Sequence, residues 1–95
     1  MEQDENRAAE VFKALSDENR VRILRALADG ERSAEELLSG LYIAQSTLSH
    51  HMKILTDAGL VKARKNGKHR FYSLSREGID DAAAYLRALV HTPFI

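Results

Sequence analysis

The fold of this chain is decided by residues 33–74, which read SAEELLSGLYIAQSTLSHHMKILTDAGLVKARKNGKHRFYSL. Ser33 and Glu36 have the spacing of a capping box, in which each side chain accepts the backbone N–H of the other residue, and this predicts the start of a helix. A second helix is predicted from about Gln45 to Ala58, where apolar residues recur at helical spacing. Its apolar stripe comprises Leu48, Met52 and Leu55. Two helices joined by a short turn predict a helix–turn–helix at about residues 33–58.

Two alternating runs follow at about residues 60–74, and Asn66-Gly67 joins them. Asn-Gly between two alternating runs is a strong hairpin signal, because both residues tolerate the positive φ that a tight turn requires. A helix–turn–helix followed directly by a two-stranded hairpin, called the wing, is a DNA-binding architecture.

Helices are also predicted on both sides of this unit. Apolar residues recur at helical spacing at about residues 6–16, again in a helix after Ser16-Asp17, and at about residues 76–91. Ser16-Asp17 offers a cap for the second of these helices, and Ser75 stands where its side chain would cap the last. We therefore predict one mainly α (α+β) domain over residues 1–95, a winged helix–turn–helix of five helices with a two-stranded β wing.

The composition excludes several classes of protein. The 95 residues are 44% apolar and 29% charged, which is typical of a globular domain. Cysteine is absent, so disulfides, thiolate catalysis and cysteine-ligated zinc are excluded. No apolar run approaches the roughly 20 residues of a membrane span, and the acidic start has no apolar signal segment, so we expect a cytoplasmic protein with no membrane partner. There is neither a glycine-rich phosphate loop nor a cluster of metal ligands, and we expect no enzyme activity, no metal and no cofactor.

The charge of the chain is zero overall but unevenly distributed. Between Gln45 and Arg76 there are seven basic residues and one acidic residue, Asp57, a net charge of +6. Residues 1–44 carry a net charge of −4, and residues 77–95 carry −2. A basic stripe confined to one helix and the hairpin beside it is typical of a protein that binds phosphates.

Opposite its apolar stripe, the helix that begins at Gln45 carries short polar side chains that suit base edges in a major groove. The predicted base contacts are Gln45, Ser46, Thr47, Ser49 and His50. Phosphate contacts position such a helix without reading sequence, and they are predicted from basic residues of the helix and the wing. These residues are Lys53, Arg64, Lys65, Lys68, His69 and Arg70.

The last predicted helix is more apolar than the core of one small domain requires. Its apolar positions are Ile79, Ala82, Ala83, Leu86, Leu89 and Val90. An exposed apolar stripe normally marks a partner surface, and the two alanines would let another helix approach closely. The helix therefore predicts a homodimer, with packing on the first helix of the same chain as the alternative.

Three segments of the chain resemble the ArsR/SmtB family of bacterial winged-helix repressors, namely Ala14–Leu24, Gln45–Leu55 and Ala58–Val61. The wing is similar as well, so the resemblance covers nearly the whole chain. It implies a homodimer built from the first and last helices, to which the first helix would contribute Val11 and Phe12. It also implies that the dimer binds a partly palindromic operator and releases it when an effector binds.

The chain departs from both metal-sensing patterns of that family. Some members bind soft metals through cysteines of the third helix, where this chain has Ser33, Glu35 and Leu38. Others use an Asp-x-His and a His-x-x-His/Glu pattern on the last helix, where the only candidates are Asp80, Asp81 and His91. We predict no metal site within one chain. A weak site that joins Asp80 or Asp81 to His91 of a partner chain remains an alternative.

A third departure concerns the start of the helix that would read DNA. The family usually has a hydroxyl cap just before Gln45, but Ala44 occupies that position here. A missing cap costs about 0.5–2 kcal/mol unless Ser46 replaces it.

Together these features predict a sequence-specific, dimeric transcriptional repressor that binds double-stranded DNA and that an unidentified effector releases. Activation instead of repression stays open, as do the operator sequence and the effector. The alternative is a winged-helix module that binds protein or RNA, for which exposed aromatic residues would be expected. Phe71 and Tyr72 lie on opposite faces of the hairpin, so only one of them can be exposed.

Overall fold

The computed structural model describes residues 2–91, and the side chains of residues 5–90. Its elements follow the order α1 (Glu2–Ala14), α2 (Glu18–Ala26), β1 (Arg32–Ser33), α3 (Ala34–Leu41), α4 (Gln45–Asp57), β2 (Val61–Asn66), β3 (His69–Leu74) and α5 (Arg76–His91). The winged helix–turn–helix with five helices is confirmed. The first helix begins before its predicted start near residue 6.

Side-chain caps start two of the helices as predicted. Asp17 accepts the backbone N–H groups of Arg20 at 3.1 Å and Asn19 at 2.8 Å, which starts α2. The bond from Arg20, followed by that from Asn19, lowers the pKa of the Asp17 carboxyl. The capping box of α3 is complete, because Ser33 Oγ accepts the N–H of Glu36 at 3.1 Å and Glu36 Oε1 accepts the N–H of Ser33 at 2.9 Å. These caps use donors that would otherwise lack partners in the first turn of each helix.

The wing differs from its prediction in two respects. A third strand, β1, pairs with β3, so the antiparallel sheet has the order β1-β3-β2. Asn66 pairs with His69, which puts Gly67 and Lys68 in the turn instead of Asn66 and Gly67. Gly67 has a φ of 65°, the conformation that glycine adopts at the first central position of a type II′ turn. Strand β1 was missed because its two residues are too few to show a period.

The core lies where α2, α3 and α4 meet the base of the wing. Ile23, Leu55 and Leu60 are fully buried in it. The predicted stripe of α4 is confirmed, since Leu48, Met52 and Leu55 are all buried. Burying this stripe turns the opposite face of α4 toward solvent, and this orientation positions the candidate site.

Candidate nucleic-acid interface

Helix α4 presents its polar residues to solvent as its periodicity predicts. Leu48 and Met52 hold the helix against the core, and the side chains on the other side are exposed. All the predicted contact residues of this helix are exposed, namely Gln45, Ser46, Thr47, Ser49, His50 and Lys53. Ala44 makes no side-chain cap, and Ser46 does not replace it, because none of the side chains described for residues 5–90 bonds the first backbone N–H groups of α4.

His51, next to the exposed His50, is buried and ties α4 to the start of α2. Arg20 Nη1 lies 3.2 Å from His51 Nδ1, and His51 Nε2 lies 4.0 Å from Asp17 Oδ1. Arg20 Nε donates to the carbonyl oxygen of Ala14 at 2.7 Å, so one guanidinium joins the end of α1 to α4. Consecutive residues of a helix point in directions about 100° apart, which agrees with one buried and one exposed histidine. No local signal in the sequence identifies Arg20 as the partner of His51.

The other end of α4 is held by α1. Arg7 donates to the carbonyl oxygen of Asp57 at 3.5 Å and to that of Ala58 at 3.3 Å. Carbonyl groups at the end of a helix have no partner within the helix, so Arg7 supplies one. Gly59 follows with a φ of 78°, and a Cβ there would lie 2.7 Å from Arg7 Nη2. The contact spans 50 residues of sequence, so no spacing rule could have predicted it.

The wing has two faces that differ in chemistry, because successive side chains of a strand point to opposite sides. On the face toward α4, Ala63 pairs with the buried Tyr72 and Lys65 pairs with Arg70. A groove of about 330 Å³ separates this face from α4. It is lined by Ser49, Met52, Lys53, Thr56, Asp57, Ala63, Arg70 and Tyr72. We call this the groove face of the wing.

On the opposite face, called the clamp face, basic residues meet acidic ones. Arg64 forms a two-pronged ion pair with Glu31, with Nε and Nη2 each 2.7 Å from a carboxylate oxygen. The guanidinium carbon of Arg64 lies 4.4 Å from the ring centroid of Phe71. His69 Nδ1 lies 3.6 Å from Glu35 Oε1 on the same face. Glu31 and Glu35 were missed by the sequence reasoning, because both are distant from the wing in sequence.

The predicted phosphate contacts therefore fall into two groups. In the first group, each side chain faces a carboxylate. Lys53 pairs with Asp57 at 3.0 Å along its own helix, Arg64 is held by Glu31, and His69 lies near Glu35. Within residues 5–90, no ion pair involves the other three predicted contacts of the wing, which are Lys65, Lys68 and Arg70. Since they are exposed, these three keep their charge available to a phosphate.

Tyr42, in the turn between α3 and α4, is another feature that the sequence reasoning missed. Its side chain is 93% exposed, and its backbone has a φ of 56°. Left-handed backbone is uncommon for a residue other than glycine, and this tyrosine gains no burial in the protomer to offset it. The sequence shows a tyrosine in this turn, but it does not show that the backbone of the tyrosine is left-handed.

The predicted dimer positions lie at different depths in the protomer. Val11 is 2% exposed and Ala82 is also buried, so both belong to the core of one chain. Phe12 and Ile79 are partly buried beside that core. The other four predicted dimer positions, all on α5, are exposed to solvent, namely Ala83, Leu86, Leu89 and Val90.

Among the residues with described side chains, no three His, Asp or Glu side chains come together where they could hold a metal ion. Asp80 and Asp81 are exposed on α5. The side chain of His91, the third member of the possible intersubunit site, lies outside the described residues. Among residues 2–91, no helix has the length and apolar character needed to cross a membrane.

Comparison with known proteins agrees with this geometry. Residues 17–63 match the bacterial regulatory protein family described as arsR. The arsenical resistance operon repressor of Staphylococcus xylosus is 47% identical over 70 residues, which cover 74% of this chain and 67% of that protein. The transcriptional activator HlyU of Vibrio cholerae is 43% identical over 75 residues, covering 79% of this chain and 69% of that protein.

A solved structure extends the similarity to the fold. The solution structure of a homodimeric winged helix-turn-helix DNA-binding domain from Mycobacterium bovis superposes with a TM-score of 0.73 at 32% identity. The match covers 90% of this chain and 78% of that one. The chain belongs to the ArsR family of winged helix–turn–helix transcriptional regulators.

Proposed function

We propose that this chain is a homodimeric transcriptional repressor that binds double-stranded DNA at a partly palindromic operator, in the cytoplasm and without enzyme activity. The observation that carries the proposal is the exposed polar face of α4 beside a wing whose Lys65, Lys68 and Arg70 have no ion pair to a described residue. We favour repression over activation because most of this chain is similar to an arsenical resistance operon repressor. Because HlyU is named an activator, the direction of regulation needs a reporter assay.

Two kinds of contact are proposed. Residues near the start of α4 would reach base edges, where a glutamine can bond adenine through two hydrogen bonds and serine or threonine is more permissive. They are Gln45, Ser46, Thr47, Ser49 and His50. Lys65, Lys68 and Arg70 on the wing would contact phosphates, and Lys53 would do so if phosphate replaces Asp57 as its partner.

A second copy of the chain is the proposed cover for α5. Leu86, Leu89 and Val90 are large apolar side chains left 58%, 66% and 77% exposed, and Phe12 of α1 is partly buried beside the core. The homodimeric DNA-binding domain of similar fold supports this arrangement. In a two-fold dimer the two α4 helices read half-sites of opposite orientation, so the operator would be partly palindromic. Release by an effector is proposed from the family alone.

The wing gives no support to the alternative of an RNA-binding module. On the wing, Tyr72 is buried, and the face of Phe71 is covered by Arg64. Single-stranded RNA is usually recognised by stacking bases on exposed aromatic rings. The wing residues that the structure describes offer no such platform.

Binding to DNA from the upstream region of the gene tests the proposal, by fluorescence anisotropy over a range of salt concentrations. Lys68→Gln should weaken binding to every sequence and lower the slope of log K against log salt by about 0.9, because one phosphate contact is lost. Gln45→Ala should instead relax the choice of base at one operator position. Lys13→Gln, which removes a lysine on α1, is the control and should preserve both the slope and the specificity. Binding that does not change with salt would refute the proposal.

A further inference from the structure

We propose that Glu31 is a positioning residue for DNA binding, because it holds Arg64 on the clamp face and thereby sets the position of the wing, while the groove face contacts the phosphates. The inference rests on the proposed function and assigns Arg64 a different role from the phosphate contact that the basic stripe predicted. Neither residue of this clamp would touch DNA.

The geometry of the Glu31–Arg64 pair is that of a strong ion pair. Both prongs are 2.7 Å long, and they join the segment before β1 to the middle of β2 across 33 residues of sequence. Exposed ion pairs contribute little as a rule, but a two-pronged arginine–carboxylate pair is the recognised exception. The hydrogen bond from Arg64 lowers the pKa of the Glu31 carboxyl, and the bond to Glu31 raises the pKa of the guanidinium, so both groups keep their charges.

Phe71 fixes the guanidinium from a second direction. Arg64 and Phe71 are directly paired across the antiparallel strands, and the guanidinium carbon lies 4.4 Å from the ring centroid. Glu31 thus holds the edge of the guanidinium while Phe71 holds its face. An arginine restrained in this way is not free to turn toward a phosphate on the groove side.

Alternation along the strands separates the clamp from the DNA contacts. Arg64 points away from α4, and its neighbour Lys65 points to the groove face together with Arg70. His69, with Glu35 3.6 Å away, adds a second contact between the clamp face and the body of the domain. The clamp therefore holds the middle of the wing and the start of β3, whereas Lys65 and Arg70 lie on the other face.

Two variants that change the net charge in opposite directions distinguish the clamp from a purely electrostatic effect on DNA affinity. Glu31→Gln raises the net charge by one and Arg64→Gln lowers it by one, so a purely electrostatic effect on DNA affinity would have opposite signs in the two variants. A clamp predicts that both variants lose affinity, each by about threefold to tenfold, which corresponds to about 0.7–1.4 kcal/mol. The double variant restores the original net charge, and it should bind no worse than either single variant because both remove the same contact.

The salt dependence of binding distinguishes positioning from direct contact. Arg64→Gln should keep the slope of log K against log salt, whereas Arg70→Gln on the groove face should lower it by about 0.9. A slope that falls as much for Arg64→Gln as for Arg70→Gln would overturn the proposal. So would tighter binding by Glu31→Gln, since that would make Glu31 a competitor of the phosphates.

A measurement on the free protein separates this inference from the proposed function. Hydrogen exchange of the backbone amides of residues 64–70 should accelerate in Glu31→Gln and in Arg64→Gln but not in Arg70→Gln. If the unsubstituted protein binds no operator, the proposed function fails and the exchange data alone decide whether the clamp holds the wing. Unchanged exchange in both clamp variants would refute it.

Discussion

Replacing Gly78 with alanine should destabilise the protein, although the same change usually stabilises a helix. Gly78 lies in the first turn of α5, where its N–H donates to Ser75 Oγ at 3.1 Å. A Cβ added there would overlap the carbonyl oxygen of Gly59, which belongs to the backbone and cannot rotate away, and would lie 3.2 Å from Ser75 Oγ. The start of α5 would therefore have to move away from the end of α4.

The magnitude follows from two opposing terms. Alanine gains about 0.5–1 kcal/mol over glycine within a helix, because glycine loses more backbone freedom on folding. Forcing an extra methyl group into a packed site costs about 1–3 kcal/mol, and more where the obstacle is backbone. Because the obstacle here is backbone, we take about 3 kcal/mol for the cost and subtract the gain of about 0.5–1 kcal/mol. Gly78→Ala should therefore lower the free energy of unfolding by about 2 kcal/mol.

Gly40→Ala is the matched control for this prediction. Gly40 also lies within a helix, and a Cβ there would meet no atom within 4 Å, so alanine should raise the free energy of unfolding by about 0.5 kcal/mol. Urea unfolding of both variants at one protein concentration measures the two values, because the stability of a dimer depends on concentration. Stabilisation by Gly78→Ala would refute the close approach of α5 to Gly59.

Two further predictions concern helix starts. Ala44→Ser should raise the free energy of unfolding by about 0.5–2 kcal/mol, because the serine can accept a backbone N–H at the uncapped start of α4, and urea unfolding would show it. The hydrogen bond from the backbone N–H of Ser33 lowers the pKa of Glu36 below its ordinary value of 4.5. The hydroxyl of Ser33 has the same effect to a smaller extent. A carboxyl whose pKa is lower in the folded state stabilises the fold above its ordinary pKa, and this stabilisation is lost as the pH falls through the lowered value. In acid unfolding monitored by circular dichroism, Glu36→Gln should therefore be less sensitive to pH below about 4.5, and an unchanged pH profile would contradict the role of the capping box.

Local signals in the sequence were enough to establish the five helices, the two strands of the wing and their order, but not the short strand β1. The Ser33–Glu36 capping box and the stripe of Leu48, Met52 and Leu55 depend only on spacings within one or two helical turns, and both are present in the structure. The position of Asn66-Gly67 between two alternating runs similarly predicted the hairpin. The exposed face of α4 followed from the same periodicity.

The tertiary structure alone decided which charges of the wing are available. Composition identifies a basic stripe but not the acid that meets each cation, and Glu31 reaches Arg64 only because β1 joins the sheet beside β3. The side of the sheet on which a residue lies depends on strand register, which a turn displaced by one residue can change. Contacts such as Glu31 with Arg64 and Gly78 with Gly59 join distant parts of the chain, and no sequence period encodes them.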